Sequence, residues 1–175
     1  VDLEGHCHGK KRNAVLYGDS AAVGDRPLIE MHRCVGPLLP MEDFDDPAAV
    51  RARFERLCAG GENFAYEEFE APDLDILARD ATSLRAGLSV PASAAFFAEH
   101  FPRRPVYPAT LFLDRQIHVA HRLLGEGGWR VRRVTHVKIA AFVFPGDRLE
   151  VEAVAKFGEG SATIAMTGFR AGAPV

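Results

Sequence analysis

Apolar residues recur along this chain with changing periods, and each period predicts a different element. Near the start, Asn13-Ala14-Val15-Leu16-Tyr17 and Leu28-Ile29-Glu30-Met31-His32 flank the turn-forming Gly24-Asp25-Arg26-Pro27. That pattern predicts a β-hairpin within residues 12–35. Gly36-Pro37 and Pro40 break it, after which Asp45-Asp46-Pro47 supplies a cap and a proline for a helix start. Val50, Phe54 and Leu57 follow at i, i+4 and i+7, so a short amphipathic helix is expected over 47–58. Between Gly60 and Asp80 the charge becomes one-sided, with Glu62, Glu67, Glu68, Glu70, Asp73, Asp75 and Asp80 facing only Arg79. Such a run predicts a surface connector, ending in a short turn at 73–78.

From Thr82 the spacing shifts to alternation. Leu84, Ala86, Leu88 and Val90 fall on one face, which predicts a strand with one side in a core. A loop rich in aromatic residues and prolines runs from Phe96 to Pro108, and Leu111–Leu124 is a long, largely apolar helix candidate stopped by Gly125 and the Gly127-Gly128 pair. Strands are predicted at Val131–Phe144, Arg148–Phe157 and Ser161–Phe169, separated by Pro145-Gly146-Asp147 and Gly158-Glu159-Gly160. Strand, long helix and antiparallel meander make an α+β order.

A weak echo links the two ends of the chain. Leu149-Glu150 opens the stretch ending Ala171-Gly172-Ala173-Pro174-Val175, as Leu3-Glu4 opens the stretch containing Gly24-Asp25-Arg26-Pro27-Leu28. The echo is either chance or the trace of a repeat, in which the first copy contributes only its tail and the second stops before its last strand. The domain reading is therefore 1–40 as the tail strands of a first unit or an N-terminal extension, 41–71 as a helical linker, and 72–175 as the main domain.

Composition narrows the function classes. With 47% hydrophobic and 26% charged residues in 175, the chain has material for a packed core and no bias toward disorder. Its 21 basic against 24 acidic residues give a net charge of −3 without a basic region, so nucleic acid is not an expected partner. No apolar run approaches the ~20 residues of a membrane span, and no secretion signal opens the chain, so a cytoplasmic location is expected and a membrane partner is not. The start at Val1 rather than Met suggests a piece of something longer. Cys7, Cys34 and Cys58 lack CxxC spacing and are expected as reduced thiols. His6-Cys7-His8 with His32 and Cys34 invites a metal reading, but no established ligand spacing appears, and no metal site is expected.

The segment with the most chemistry runs from Phe96 to Asp114. Pro102, Pro105 and Pro108 fix φ in a short loop, so His100 can be held in one place. Pro108 just before the helix leaves the amides of Ala109, Thr110 and Leu111 unpaired, an arrangement that polarises a carbonyl oxygen or binds an anion. Asp114 follows among Leu111, Phe112, Leu113 and Ile117. A carboxylate buried there would suit general acid work, and one at the helix surface would pair with Arg115 or His118. His100 in turn is either a catalyst or a hydrogen-bonded loop histidine. His121 and His136 are read as structural.

These residues carry a resemblance. His100-Phe101-Pro102-Arg103-Arg104-Pro105-Val106-Tyr107-Pro108, with an acidic residue 14 positions after the histidine, resembles the hot-dog-fold 3-hydroxyacyl-acyl-carrier-protein dehydratases. Pro145-Gly146-Asp147-Arg148-Leu149 after Lys138 is similar to the strand-and-turn signature of that family. The likeness spans about residues 72–170. Aspartate at the helix position is similar to the 3-hydroxydecanoyl branch, while the His-Phe-Pro loop is more like the general branch.

The resemblance implies a hot-dog fold, a long central helix wrapped by an antiparallel sheet, alone or in a tandem pair. It implies dehydration of 3-hydroxyacyl thioesters, linked to acyl carrier protein or CoA, in fatty-acid or polyketide synthesis. His100 would remove the C2 proton, Asp114 would protonate or orient the departing 3-hydroxyl, and the Ala109 amide would hold the thioester oxygen. Phe101, Pro108, Thr110 and His118 would lie along the substrate. Arg103 and Arg104, with Arg130, Arg132 and Arg133, are either a docking surface for an acidic carrier or a solvated rim. No cofactor is implied. The family joins a histidine and an acid from different units, so a homodimer or tandem pairing is expected. Three positions depart from its pattern: Arg103 and Ala109 replace glycines, and His118 replaces glutamine. The departures fit either an altered substrate or a unit that binds acyl chains, or completes a heterodimer, without catalysis. Thioester hydrolysis is the remaining enzymatic alternative on this fold.

Overall fold

The computed structural model describes the backbone of residues 2–8, and residues 13–60 and 71–175 with their side chains. The chain divides into two units, Val1–Val50 and Arg51–Val175. In the first, β1 (Asp2–His8), β2 (Asn13–Val23) and β3 (Arg26–Leu38) form an antiparallel meander in that order. The predicted hairpin is present with longer strands, and it turns at Gly24, whose φ of +56° favours glycine. β1 carries no alternating apolar signal because Asp2, Glu4, Gly5, His6 and His8 interrupt it. Past a 3₁₀ turn at Met41–Asp43, the predicted helix appears as α1 (Pro47–Cys58). Asp46 Oδ1 accepts the Ala48 amide at 2.9 Å, the capping bond that an Asp-Pro start favours.

The second unit is a five-stranded antiparallel sheet with a helix laid on it. Its strands are β4 (Leu74–Arg79), β5 (Ser83–Ser89), β6 (Arg148–Gly158), β7 (Ser161–Arg170) and β8 (Ala173–Pro174), neighbours in that order. β5 and β6 pair with Leu84 opposite Ala153, Ala86 opposite Val151 and Leu88 opposite Leu149. All six are buried, so the alternation read from the sequence becomes one continuous apolar face. Helix α2 (Ala109–Leu124) covers it with Phe112, Val119, Ala120 and Leu123. Phe112 comes so close to β7 that a Cβ at Gly168 would sit 2.5 Å from its ring. Glycine at 168 is therefore what lets the helix seat. The α+β, hot-dog arrangement expected from the resemblance is present.

Two elements differ from expectation. Residues 74–79, expected as connector and turn, form β4, which pairs with β5 from Leu74 opposite Leu88 to Arg79 opposite Leu84. β4 lies at the sheet edge with its side chains mostly exposed, so it needs no apolar face and tolerates charge. The opposite correction applies to 131–144, expected as a strand: no part of it joins a ladder, and residues 131–140 are exposed throughout. A strand needs a neighbour's backbone, and β6 is already bonded on both sides by β5 and β7. His136 also takes a φ of +57°, which interrupts extended backbone. The end of this segment is nonetheless fixed. Asp147 Oδ2 accepts the Phe144 amide at 2.8 Å and Arg170 Nη1 at 2.9 Å, and the same Arg170 nitrogen donates to the Phe142 carbonyl at 2.8 Å.

The β4–β5 turn is built on one carboxylate. Asp80 accepts from the Ser83 hydroxyl at 2.7 Å and from the Thr82 and Ser83 amides at 2.7 Å each. These bonds, the Ser83 hydroxyl first, hold its pKa at about 2 against an ordinary 3.8. A depressed carboxylate stabilises the fold above its unfolded pKa and loses that contribution as pH falls. The stability of the native chain should therefore decline between pH 3.8 and about 2 more steeply than that of Asp80→Asn in acid-unfolding titrations; equal slopes would exclude this role. Separately, Gly168→Ala should cost about 1–3 kcal/mol in chemical denaturation by overpacking. Shortening the ring with Phe112→Leu should recover part of that loss in the double variant.

Candidate functional site

The loop between β5 and α2 is anchored at both ends before it presents any chemistry. A 3₁₀ turn at Ala95–Ala98 buries Phe97, and the His100 amide donates to the Phe96 carbonyl at 2.8 Å. Further on, the Tyr107 amide donates to the Val143 carbonyl at 2.7 Å. Between these anchors His100 is half-buried, and its Nδ1 lies 2.8 Å from the Val106 carbonyl oxygen. A carbonyl only accepts, so Nδ1 carries the proton and the lone pair is left on Nε2. The Phe101 ring leans on the imidazole, centroids 4.5 Å apart. Phe101 reaches that place with a φ of +63°, a left-handed backbone that costs a phenylalanine about 1–2 kcal/mol.

His100 faces a cavity of about 190 Å³, lined on one side by Phe101, Val106, Tyr107, Ala109 and Phe112 and on the other by Ile139, Ala141, Phe142 and Val143. Apart from the histidine and the Tyr107 phenol, its side chains are apolar, which suits an acyl chain. Ala109 brings the start of α2 to it. The first amide of the helix to be paired in helical fashion is Phe112, bonded to the Pro108 carbonyl at 3.1 Å, so the amides of 109–111 precede the helical ladder. A larger open groove, about 610 Å³, lies around Gly146–Arg148 and Phe169–Gly172 with Glu150 and Glu152. It contains no histidine or thiol.

Asp114 does not line the His100 cavity. Phe112 and Val119 face the sheet, and at about 100° per residue Asp114 is turned roughly 200° from Phe112. Its side chain is 49% exposed, in contrast to the expectation of a carboxylate among apolar neighbours. Its Oδ2 accepts from Arg115 Nη2 at 2.6 Å and Nε at 3.1 Å. His118, also exposed, donates from Nδ1 to the Asp114 carbonyl at 2.9 Å, and the same nitrogen is 3.6 Å from Oδ2. The surface pairing with Arg115 and His118 is therefore the arrangement observed.

Of the residues singled out from the sequence, the cavity brings together His100, Phe101 and Ala109. Pro108 is the residue preceding α2, and Thr110 and His118 lie outside the cavity lining. Arg103 and Arg104 are exposed on the loop, with the Arg104 guanidinium 5.6 Å from the ring centroids of both Phe142 and Phe144. Among the described residues no cluster of three or more His, Cys, Asp or Glu side chains could hold a metal. His32 instead lies 3.3 Å from Glu30, while Cys34 and Cys58 are free thiols. The side chains of His6, Cys7 and His8 fall outside the described residues. Among the described residues no helix is long and apolar enough to cross a membrane.

The sequence reading did not single out Tyr107. It is 3% exposed, its ring meets Phe96 edge-on at 6.0 Å, and its buried hydroxyl has no hydrogen-bond partner among the described residues. Burial pushes the phenol above its ordinary value, with Arg115 opposing and Asp114 adding to that rise. Its only sequence signal is a tyrosine where an apolar residue would pack equally well. An orphaned buried hydroxyl costs about 1–3 kcal/mol, so Tyr107→Phe should raise stability by about 1 kcal/mol in denaturant titrations. A loss of stability would show that the hydroxyl is satisfied.

Comparison with known proteins follows the same residues. The family model named ApeI-like, described as ApeI dehydratase, matches residues 77–169, from within β4 to near the end of β7. No curated protein matches the chain.

Proposed function

The chain belongs to the ApeI-like dehydratase family, and we propose that it removes water from 3-hydroxyacyl thioesters to give trans-2-enoyl thioesters. The observation that carries this reading is the His100 hydrogen bond. With Nδ1 committed to the Val106 carbonyl, Nε2 is the basic nitrogen, and His100 lines an apolar cavity. Nε2 takes the C2 proton, whose acidity comes from the adjacent thioester carbonyl. The electron pair left at C2 forms the C2–C3 double bond as the C3–O bond breaks, and the hydroxyl leaves as water once it has gained a proton. The Ala109 amide, ahead of the helical ladder, stabilises the negative charge that develops on the thioester oxygen.

Asp114 is the proposed acid that protonates or orients the departing hydroxyl. Its absence from the His100 cavity supports a site completed by a second hot-dog unit, in a homodimer or a tandem pair, with Asp114 serving the partner's histidine. Phe101 lines the cavity, Pro108 sets the start of α2 beside it, Thr110 adds a second unpaired amide, and His118 brackets the acid. Arg103 and Arg104, exposed beside the cavity, would receive the acidic carrier of an acyl-carrier-protein thioester, or the phosphates of CoA. The reading places the chain in fatty-acid or polyketide synthesis in the cytoplasm, without a cofactor. A second reading, an acyl-binding or heterodimer-partner unit, is favoured by the same separation of His100 from Asp114 and by Arg103, Ala109 and His118.

Hydration of a short trans-2-enoyl thioester, followed by mass identification of the product, tests the proposal. The 3-hydroxyacyl thioester should form, and folded His100→Ala should lose about 10²–10⁴-fold in rate, the usual contribution of a general base. Free thiol and acid as products would indicate hydrolysis instead. A folded chain without turnover, alone and paired, would support the binding unit.

A further inference from the structure

We propose that Arg115 is a positioning residue for the acid, locking one oxygen of Asp114 so that the other is presented to the substrate; this rests on the reading of Asp114 given above. Side chains at successive helix positions diverge and do not normally face each other. Here Arg115 bends back, and both Nε and Nη2 donate to the same oxygen, Oδ2, at 3.1 and 2.6 Å. The pair is not an ordinary solvated one. Arg115 is only 13% exposed at its side chain while Asp114 is 49% exposed, so the cation is the buried member.

The guanidinium is held from its far side as well. Nη1 reaches the Pro72 carbonyl just before β4 at 3.5 Å, and Nη2 lies 3.5 Å from His118 Nε2, the ring nitrogen left to accept once Nδ1 donates to the Asp114 carbonyl. Every hydrogen bond to the Asp114 carboxylate among the described residues falls on Oδ2. Oδ1 has none. An exposed aspartate on a helix would otherwise move among rotamers, and a reacting group that wanders loses much of the advantage of proximity. The fork of an arginine, donating through two nitrogens, fixes the carboxylate plane in a way the single point charge of a lysine does not. Arg115 thus sets where the unpaired oxygen points, without touching substrate itself.

The test is a cycle of variants in the full chain, read by enoyl-thioester hydration. Arg115→Gln should lower kcat about 10–100-fold with KM within about twofold, because a misplaced group of this kind impairs the reaction rather than binding. Arg115→Lys should recover only part of that loss. In an Asp114→Asn background, Arg115→Gln should add less than about a twofold further loss, since its effect passes through the carboxylate. An equal loss in both backgrounds would reveal a purely structural role, such as tying α2 to Pro72, and would overturn the proposal. Unchanged kcat in Arg115→Gln would overturn it too. Should Arg115→Gln fail to fold, Arg115→Lys alone and over Asp114→Asn gives the same comparison. Full activity in Asp114→Asn is a different failure: it removes Asp114 as the acid, and the proposal with it.

Discussion

Phe112 packs the tip of its ring against β7 at the one place where that strand offers no side chain, and the geometry of the site follows from this contact. With Gly168 beneath it, the ring fixes both the height of α2 above the sheet and its rotation. Rotation then distributes the remaining residues. Val119 and Leu123 turn into the core with Phe112, Ala109 comes to the cavity three residues earlier, and Asp114 is carried to the opposite side. No local preference of aspartate is needed to explain its exposure. It is a consequence of where phenylalanine had to go.

The loop before the helix depends on a second constraint, the backbone bond between Tyr107 and Val143. That bond ties the residues preceding α2 to the segment preceding β6, and it sets the Val106 carbonyl against His100. The imidazole therefore takes its tautomer from a carbonyl whose position is fixed by tertiary structure. In exchange the loop contains one unfavourable backbone conformation, at Phe101, and one orphaned hydroxyl, at Tyr107. Both border the histidine. Unfavourable features gathered at one place are what a site looks like when geometry there is held by the surrounding packing.

How much of this was legible in the sequence depends on whether a residue's environment is local. Leu84, Ala86 and Leu88 announced a buried strand because alternation and burial are read from the same few residues, and Pro108 announced a helix start because its constraint acts on the next turn. β4 was illegible because an edge strand is stabilised by its neighbour's backbone, while the acidic run that leads into it through Asp73 and Asp75 resembles a connector. Residues 131–144 failed in the opposite direction: Val131, Val134, Val137 and Ile139 look like strand residues, but strand propensity by itself makes no ladder, and the adjoining strand β6 is bonded on both sides. For the site, the His100 loop was recognisable from its prolines and motif. Between a buried and a surface Asp114 the sequence did not choose, since the choice depends on which face of α2 meets Gly168, more than fifty positions away in the chain. Arg115 was named only as a partner for a surface carboxylate; that both of its nitrogens meet one oxygen depends on the burial of its side chain, which the sequence does not show.

The separation of His100 from Asp114 also bears on the chemistry. A base and an acid in contact would neutralise each other by sharing a proton before substrate arrived. Here the histidine is committed through Nδ1 to a neutral carbonyl, and the aspartate through Oδ2 to an arginine. Among the described residues each keeps one atom without a hydrogen bond, Nε2 and Oδ1, and each is oriented by a partner that cannot take its proton. Elimination of water across C2 and C3 needs two groups acting at two adjacent carbons, with the substrate between them. Two groups fixed independently, and joined only when two hot-dog units and an acyl chain come together, satisfy that requirement in the proposed reaction. In the proposed pairing, one unit holds both residues and gives each site only one of them.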